Sequence, residues 1–274
     1  MSAPRVHVLR LLAAHGLRPD TDLGQHFLVD ENLVDVAVRE AGVTGDDVVF
    51  EVGAGPGVLT AALCRHAAWV HTAEVDPRLG PVLDDALAGA RNVDVHWGDA
   101  MALPWEDLRP APTVLVSNLP YHIATPVMVE STWRLPGVER WCVMTQREVA
   151  DRWMAPAGDP LYGAPSVLLQ LACAPAFRRN VGRDVFVPPP RVDSALVAFT
   201  RRGPGADARV RRCVRAAFGQ RRKTLRNTLG AAGADRDRVV AALTEMGCPP
   251  GARAEHLTPE RFPELTERLR WPEP

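Results

Sequence analysis

The sequence lacks the cysteine pattern of a disulfide-bonded or zinc-finger protein. Its five cysteines are spread along 274 residues, with no C-x-x-C pair and no histidine cluster beside them, at positions 64, 142, 173, 213 and 248. Closely spaced cysteines would be needed for a disulfide framework or a structural zinc site. We therefore predict reduced core cysteines, a cytoplasmic location and no metal site.

The sequence also lacks a long apolar run. Its longest uncharged stretch, residues 110–129, is interrupted by Pro112, Pro120 and Pro126, and the first twenty residues carry three arginines. Such patterns predict neither a membrane span nor a signal peptide, but an amphipathic helix at the N-terminus. With 46% hydrophobic and 24% charged residues, the chain has the composition of a globular protein with one large domain, or one large and one small.

Lysine is almost absent, since the chain has a single lysine, Lys223, and owes the rest of its positive charge to arginine. Residues 201–230 hold ten of the 32 basic residues and one acidic residue, a local charge of +9 in a chain whose net charge is −1. This asymmetry favours a polyanion-binding face on an acidic body. Its densest part comprises Arg221, Arg222, Lys223 and Arg226. The alternative is a solvated basic helix face.

Short apolar runs alternate with helical patterns up to about residue 200. Five runs are predicted to be buried parallel strands: 47–55, 68–76, 92–100, 112–120 and 140–148. Helical patterns at 57–67 and 78–90 complete βαβ units, which indicates an α/β doubly wound sheet.

A break in this pattern at "RRGPGAD" (201–207) marks a domain boundary. We predict a first domain over 1–202, with an N-terminal helical extension, and a small helical domain over 203–274. The helical stretches predicted in the second domain are 208–229, 235–246 and 259–270.

The predicted strand ends carry the residues expected of a nucleoside site. "EVGAGPGVLT" (51–60) has glycines at 53, 55 and 57, a G-x-G-x-G spacing that differs from the G-x-G-x-x-G of dinucleotide sites. Glu74 ends the second strand, where a carboxylate can accept hydrogen bonds from ribose hydroxyls, and Asp99 follows the third, where it can accept from an adenine amino group. Each acid alone is also typical of a helix cap. Together they predict S-adenosylmethionine as the cofactor.

The fourth strand end, "NLPY", predicts a pocket for a second base. The Asn118 side-chain oxygen and the Leu119 carbonyl could accept the two hydrogens of an adenine amino group. Pro120 would fix the backbone, and Tyr121 would stack on a base removed from its helix. Methyl transfer would then depend on positioning and electrostatics.

Ten segments in order resemble the KsgA-type ribosomal RNA adenine N6,N6-dimethyltransferases, whose sister group is the Erm methyltransferases. The segments are LGQHFLVD (23–30), EVGAGPGVLT (51–60), EVD (74–76), GDA (98–100), NLPYHIATP (118–126), QREVADR (146–152), YGAPSVLLQ (162–170), VFVPPPRVDSALV (185–197), FGQRRKTLRNTL (218–229) and RAEHLTPERF (253–262). The similarity covers nearly the whole chain.

The resemblance implies a Rossmann-like class I S-adenosylmethionine-dependent methyltransferase sheet with a small C-terminal helical domain. It places His26 and Leu28 over the methionine end of the cofactor, with Gly53 lining it. It adds Phe186, stacking on the target base opposite Tyr121. The implied substrate is two adjacent adenines in a hairpin near the 3′ end of small-subunit rRNA, within an immature ribosomal subunit. We expect a monomer.

Alternatives from other classes remain at this stage. One is an Erm-type methyltransferase of large-subunit rRNA, and another is a ribosome-assembly factor that acts mainly by binding. A dinucleotide oxidoreductase is disfavoured by the glycine spacing and the basic tail.

Overall fold

The computed structural model describes residues 3–272. The chain divides into two compact units. The first combines Met1–Arg147 with Pro175–Arg201, and the second combines Glu148–Ala174 with Arg202–Pro274.

The first unit is built on a mostly parallel sheet. Its strands are β2 (Val48–Val52), β3 (Trp69–Glu74), β4 (Val93–Trp97), β5 (Val114–Asn118), β6 (Arg140–Gln146), β7 (Cys173–Val181) and β9 (Ser194–Arg201). Within the described residues these form a seven-stranded sheet in the order β4-β3-β2-β5-β6-β9-β7. The first five strands are parallel, and β9 pairs antiparallel with β6. The five strands predicted from the sequence are confirmed.

Helices connect and cover the parallel strands. They are α1 (Ala3–Ala14), α2 (Glu31–Glu40), α3 (Val58–Cys64), α4 (Gly80–Ala86) and α5 (Ala124–Arg134). All five residues of β2 are buried, as expected for a central strand whose two faces are both covered. A short antiparallel ribbon of β1 (Phe27–Leu28) and β8 (Phe186–Val187) completes this unit.

This topology brings four strand ends to one edge of the sheet. Because β2, β3, β4 and β5 are parallel neighbours, the residues at or just after their carboxyl ends lie along the same edge. They include Gly53, Glu74, Asp99 and Asn118. Open α/β sheets bind their ligands at this edge.

The second unit is helical in its described residues. Its helices are α6 (Arg147–Met154), α7 (Ala164–Ala172), α8 (Ala208–Ala217), α9 (Leu225–Ala231), α10 (Arg236–Glu245) and α11 (Arg261–Leu269).

Segment 148–174 belongs to this unit, whereas the sequence placed it in the first domain. The Gly158 N–H donates to the Glu255 carbonyl at 2.8 Å, and the Tyr162 hydroxyl donates to the Leu257 carbonyl at 2.9 Å. The Phe218 ring packs against the Tyr162 and Phe262 rings, with centroids 5.8 Å apart in each case. These contacts join residues distant in sequence. The composition break near 203 therefore marks only one of the places where the chain passes from one unit to the other.

The helix predicted over 208–229 is interrupted. α8 ends near Ala217, and α9 begins at Leu225 after Thr224 in an extended conformation. The connection makes turn hydrogen bonds from Gly219 N–H to the Ala216 carbonyl and from Lys223 N–H to the Gln220 carbonyl. Arg221, Arg222 and Lys223 therefore lie on a turn instead of a helix face.

None of the described helices is long and apolar enough to cross a membrane. All five cysteines are free thiols, and Cys142, Cys173 and Cys213 are buried, in agreement with the prediction of reduced core cysteines.

Candidate active site

A cavity of about 360 Å³ opens at the edge of the sheet where the parallel strands end. Its size falls in the range typical of small-ligand sites. Most of the residues predicted for the site line it: His26, Gly53, Glu74, Asp99, Asn118, Leu119, Pro120 and Tyr121.

The glycine-rich turn lines this cavity through Gly53 and Gly55. Gly53, Gly55 and Gly57 all have positive φ, at 86°, 56° and 81°, which glycine adopts far more readily than other residues. A side chain at Gly53 would also meet Pro120, whose ring carbons lie 3.4 Å from the position of a Cβ. The glycine turn and the "NLPY" segment are therefore in direct contact.

Glu74 is a buried carboxylate held by the same turn. Its Oε2 accepts a hydrogen bond from the Gly55 N–H at 2.8 Å, and its Oε1 accepts from the Asp76 N–H at 3.0 Å. Burial raises the pKa of Glu74, while these two backbone donors oppose the rise. Because the carboxylate also lines the cavity, Glu74 can both shape the turn and accept hydrogen bonds from ligand hydroxyls.

Asp99 lies at the mouth of the cavity and is exposed. Its Oδ1 accepts a hydrogen bond from the Met101 N–H at 2.9 Å and so caps a short 3-10 helix. The capping role and the binding role considered from the sequence are compatible, because one carboxylate can cap with one oxygen and accept from a ligand with the other.

Asn118 is oriented by the segment that contains His26. Its Nδ2 donates to the His26 carbonyl at 3.1 Å, so the amide is turned with Oδ1 away from that carbonyl. The described residues offer no hydrogen-bond donor to Asn118 Oδ1 or to the Leu119 carbonyl, while the Leu119 N–H donates to the Met144 carbonyl at 3.0 Å. Two consecutive residues that line the cavity thus each have an acceptor that receives no hydrogen bond from the described residues.

Tyr121 and His26 form an aromatic wall. Their rings lie 5.9 Å apart at an interplanar angle of 26°. The Tyr121 hydroxyl hydrogen-bonds to Ser194 Oγ at 2.8 Å. His26 Nδ1 lies 2.8 Å from the Pro188 carbonyl, which can only accept, so His26 carries its proton on Nδ1. Both rings are fixed by polar contacts and can offer an aromatic face to a base.

Phe186 is not brought to this cavity, whereas Leu28 lines a small second cavity that shares Gly53, Gly55 and Asn118 with the first. Leu28 and Phe186 pair across the β1–β8 ribbon, and their side chains are buried in the core beside Leu33 and Leu196. The ribbon directs these apolar side chains inward because burial stabilises them. Stacking of Phe186 on a base would require its fully buried ring to leave the core.

Gln25 and Val75 also line the cavity, although they were not predicted as site residues. Each lies in a segment that carries the family resemblance, LGQHFLVD and EVD. Gln25 accepts from the Asp20 N–H at 2.7 Å and donates to Asp76 Oδ2 at 2.8 Å. Val75 is 50% exposed, an unusual position for an apolar residue directly after a buried strand. An apolar side chain beside Glu74 can cover one face of a purine ring.

Comparison with known proteins decides the family. The family model of ribosomal RNA adenine dimethylase matches residues 16–270. The chain belongs to the ribosomal RNA adenine dimethylase family. A relative from Rubrobacter xylanophilus, named ribosomal RNA small subunit methyltransferase A, is 43% identical over 254 residues, which cover 92% of this chain and 95% of the relative.

Solved structures show the same fold. A dimethyladenosine transferase from Plasmodium falciparum superposes with a TM-score of 0.74 at 24% identity, covering 88% of this chain and 96% of that one. The 23S rRNA methyltransferase ErmE superposes with a TM-score of 0.65 at 30% identity, covering 89% of this chain and 99% of that one. The predicted family and fold class are confirmed, and this family and fold imply S-adenosylmethionine as the cofactor.

The basic cluster of this dimethylase lies in the second unit, and its members differ in their surroundings. Arg221 bonds to the Pro160 carbonyl and lies 3.5 Å from Glu255, and Arg226 lies 3.4 Å from Asp237. Arg222 and Lys223 are exposed, and no acidic group among the described residues pairs with them. These two cations are the ones most available to an external phosphate.

Proposed function

We propose that this protein transfers methyl groups from S-adenosylmethionine to N6 of two adjacent adenines in a hairpin near the 3′ end of small-subunit rRNA. The observation that carries the proposal is the pair of acceptors at Asn118 Oδ1 and the Leu119 carbonyl, which belong to two cavity-lining residues and accept no hydrogen bond from the described residues. The unmodified amino group has two hydrogens, which match the two acceptors in the first transfer, while the monomethylated nitrogen keeps one hydrogen for the second.

This pair of acceptors addresses the difficulty of the reaction. The N6 lone pair of adenine is delocalised into the ring, so the amino group is a poor nucleophile. Hydrogen bonds from both N–H groups to fixed acceptors favour a pyramidal nitrogen, whose lone pair can then attack. The cofactor supplies an electrophilic methyl group on a sulfonium. Positioned dipoles of this kind lower a barrier without reorganising during the reaction.

The cofactor would occupy the part of the cavity nearer to the glycine turn. Glu74 would accept hydrogen bonds from the ribose hydroxyls, Asp99 would accept from the adenine amino group, and Val75 would cover the ring. Gly53 lets the ligand approach the backbone closely. His26 would lie over the methionine end, while Tyr121 would stack on the target base.

We further propose that the substrate is presented by an immature small ribosomal subunit, that the enzyme acts as a monomer and that it works in the cytoplasm. The exposed Arg222 and Lys223 support a contact with rRNA backbone, which positions a substrate without selecting its sequence. Selection of the adenines would then rest with the "NLPY" pocket and with the shape of the RNA.

The small-subunit assignment is preferred over an Erm-type activity. The R. xylanophilus relative is 43% identical and is named for the small subunit, whereas ErmE is 30% identical. A pure assembly factor is disfavoured, because a protein that acted only by binding would not need the acceptors of Asn118 and Leu119 to remain without donors.

The test is a methyl-transfer assay with labelled S-adenosylmethionine on immature small subunits, mature small subunits and large subunits. We expect label in the small-subunit rRNA, and mass spectrometry should locate it as N6,N6-dimethyladenine in two adjacent nucleotides. Label in the large subunit would favour the Erm-type activity. Tight binding of the immature subunit without label would favour the assembly factor.

A further inference from the structure

Three polar side chains converge on β3 and β4, and none of them lines the cavity of the active site. His71 lies on β3, and Asp94 and His96 lie on β4. The parallel register pairs His71 with Asp94 and Ala73 with His96, so the three side chains share one face of the sheet. One ligand atom from each lies within 4.8 Å of the others.

The hydrogen bonds of His71 determine which of its nitrogens has a lone pair. His71 Nε2 lies 2.9 Å from the Pro110 carbonyl. A carbonyl only accepts, so Nε2 carries a proton and, in the neutral ring, Nδ1 offers a lone pair. This Nδ1 lies 3.1 Å from His96 Nε2 and 3.5 Å from Asp94 Oδ2.

In this arrangement the hydrogen-bond acceptors of His71 and Asp94 outnumber the protons that lie between the three side chains. The His71 lone pair and the Asp94 carboxylate face each other, and with both rings neutral the single proton between the imidazoles comes from His96 Nε2. His71 is almost fully buried at 1% exposure, so its Nδ1 has little access to water. A cation placed among them would convert the repulsion into attraction.

The distances suit a transition metal. Two ligands of a tetrahedral Zn²⁺, each about 2.0–2.1 Å from the metal, lie about 3.3–3.4 Å apart. The observed separations of 3.1 Å and 3.5 Å are close to this value. Two imidazoles and one carboxylate form an established ligand set, with a fourth position left to water.

The surrounding contacts are those that metal ligands usually have. The backbone carbonyl of Pro110 accepts the remaining proton of His71, and Trp69 Nε1 donates to Asp94 Oδ2 at 2.9 Å. Such contacts fix the orientation of a ligand and its tautomer. Asp94 has an exposed side-chain fraction of 47%, so an ion can enter from solvent.

We infer that His71, Asp94 and His96 form a binding site for a divalent transition metal of the Zn²⁺ class. Binding would use His71 Nδ1, His96 Nε2 and the ionised Asp94. The proton on His96 Nε2 would move to Nδ1 of the same ring, so binding needs no net loss of a proton from the imidazoles. The metal would fasten the edge strand β4 to β3. This site is independent of the proposed methyl transfer.

The test is titration of the tag-free, EDTA-treated full chain with Zn²⁺ by calorimetry, and with Co²⁺ by absorption spectroscopy. We expect one Zn²⁺ per chain, a tetrahedral Co²⁺ absorption band and a Zn²⁺-dependent rise in melting temperature. An affinity tag must be absent because a histidine tag would bind the same metals.

Two variants address the ligands. His96→Gln and Asp94→Asn preserve size, and the second keeps an acceptor for Trp69. Each should weaken Zn²⁺ binding at least tenfold and abolish the Co²⁺ band. The controls are His66→Gln and Asp46→Asn, at exposed positions outside the cluster, which should bind as the unmodified chain does.

The inference is overturned if the unmodified chain binds Zn²⁺ no more tightly than His96→Gln. It is also overturned if the controls lose binding to the same extent, since the metal would then be held elsewhere. Affinity for S-adenosylmethionine, measured in EDTA, should be unchanged in both ligand variants and verifies that they are folded.

Discussion

The side-chain amide of Asn118 donates to the backbone carbonyl of His26 at 3.1 Å. This bond joins the end of β5 to a segment 92 residues earlier in the chain. It also fixes the orientation of the amide, because the nitrogen donates to the His26 carbonyl and the oxygen remains available to accept a hydrogen bond from a ligand. This hydrogen bond explains why position 118 has an amide and not a carboxylate, because a carboxylate has no hydrogen to donate.

Asn118→Ala should lower methyl transfer by roughly 100-fold or more, which is typical of the removal of one preorganised polar group that stabilises a transition state. Affinity for S-adenosylmethionine should stay within a few-fold, because Glu74 and Asp99 are unchanged. Single-turnover transfer and calorimetry measure the two quantities. Asn32→Ala, at an exposed position on α2, is the control and should be fully active. Near-normal transfer by Asn118→Ala would remove the residue from the base pocket.

Glu74→Gln should weaken S-adenosylmethionine binding by about tenfold or more, since hydrogen bonds to a charged acceptor contribute about 1.5–3 kcal/mol. The substitution also places an amide beside the N–H groups of Gly55 and Asp76. In the unmodified protein these two groups donate to the Glu74 carboxylate. Calorimetry should therefore be accompanied by a melting curve without cofactor. Glu31→Gln, exposed on α2, should change neither. Unchanged affinity in a folded Glu74→Gln protein would exclude the ribose contact.

Glu51 should make stability depend on pH. Burial beneath the glycine turn raises its pKa from 4.5 to about 8, against the opposing hydrogen bonds from Thr60 and Thr72. The folded state therefore retains a proton that the unfolded state loses above pH 4.5. The free energy of unfolding should fall as pH rises from about 4.5 to about 8, by at most about 1.4 kcal/mol per pH unit, and should level off above that.

Glu51→Gln should remove this dependence, so its stability relative to the unmodified protein should increase between pH 5 and pH 8. Urea unfolding at several pH values measures it. Glu31→Gln is again the control, because its side chain is exposed. If Glu51→Gln and the unmodified protein lose stability in parallel over this range, Glu51 is ionised in the folded state.

Neutralising Arg222 and Lys223 together, by Arg222→Gln and Lys223→Gln, should weaken binding to the immature subunit and reduce its salt dependence. The log–log slope should fall by about 0.7–0.9 for each phosphate that the protein no longer neutralises. Cofactor affinity should stay the same. The matched control replaces Arg261 and Arg268, which are paired with Glu264 and Glu245, and should leave the slope nearly unchanged. Normal binding with an unchanged slope would assign Arg222 and Lys223 to solvated surface.

Much of the first unit could be predicted because its signals are local. Buried parallel strands read as continuous apolar runs, and the residues that follow them fall at one edge of the sheet. That is why Gly53, Glu74, Asp99 and Asn118 could be selected without coordinates. β7 and β9 were not predicted, because an antiparallel addition to the end of a parallel sheet carries no comparable pattern.

By itself the sequence determined the order of chemistry along the chain: a glycine turn, a ribose acceptor, an adenine acceptor and then the "NLPY" segment. Only the tertiary structure decided which side chains of distant segments contact one another and which are buried. It directed Phe186 into the core, fixed Asn118 on His26, grouped 148–174 with the helical unit and placed His71 against Asp94 and His96. The physical reason is that these outcomes depend on burial and hydrogen bonds between residues far apart in sequence, which no local spacing encodes.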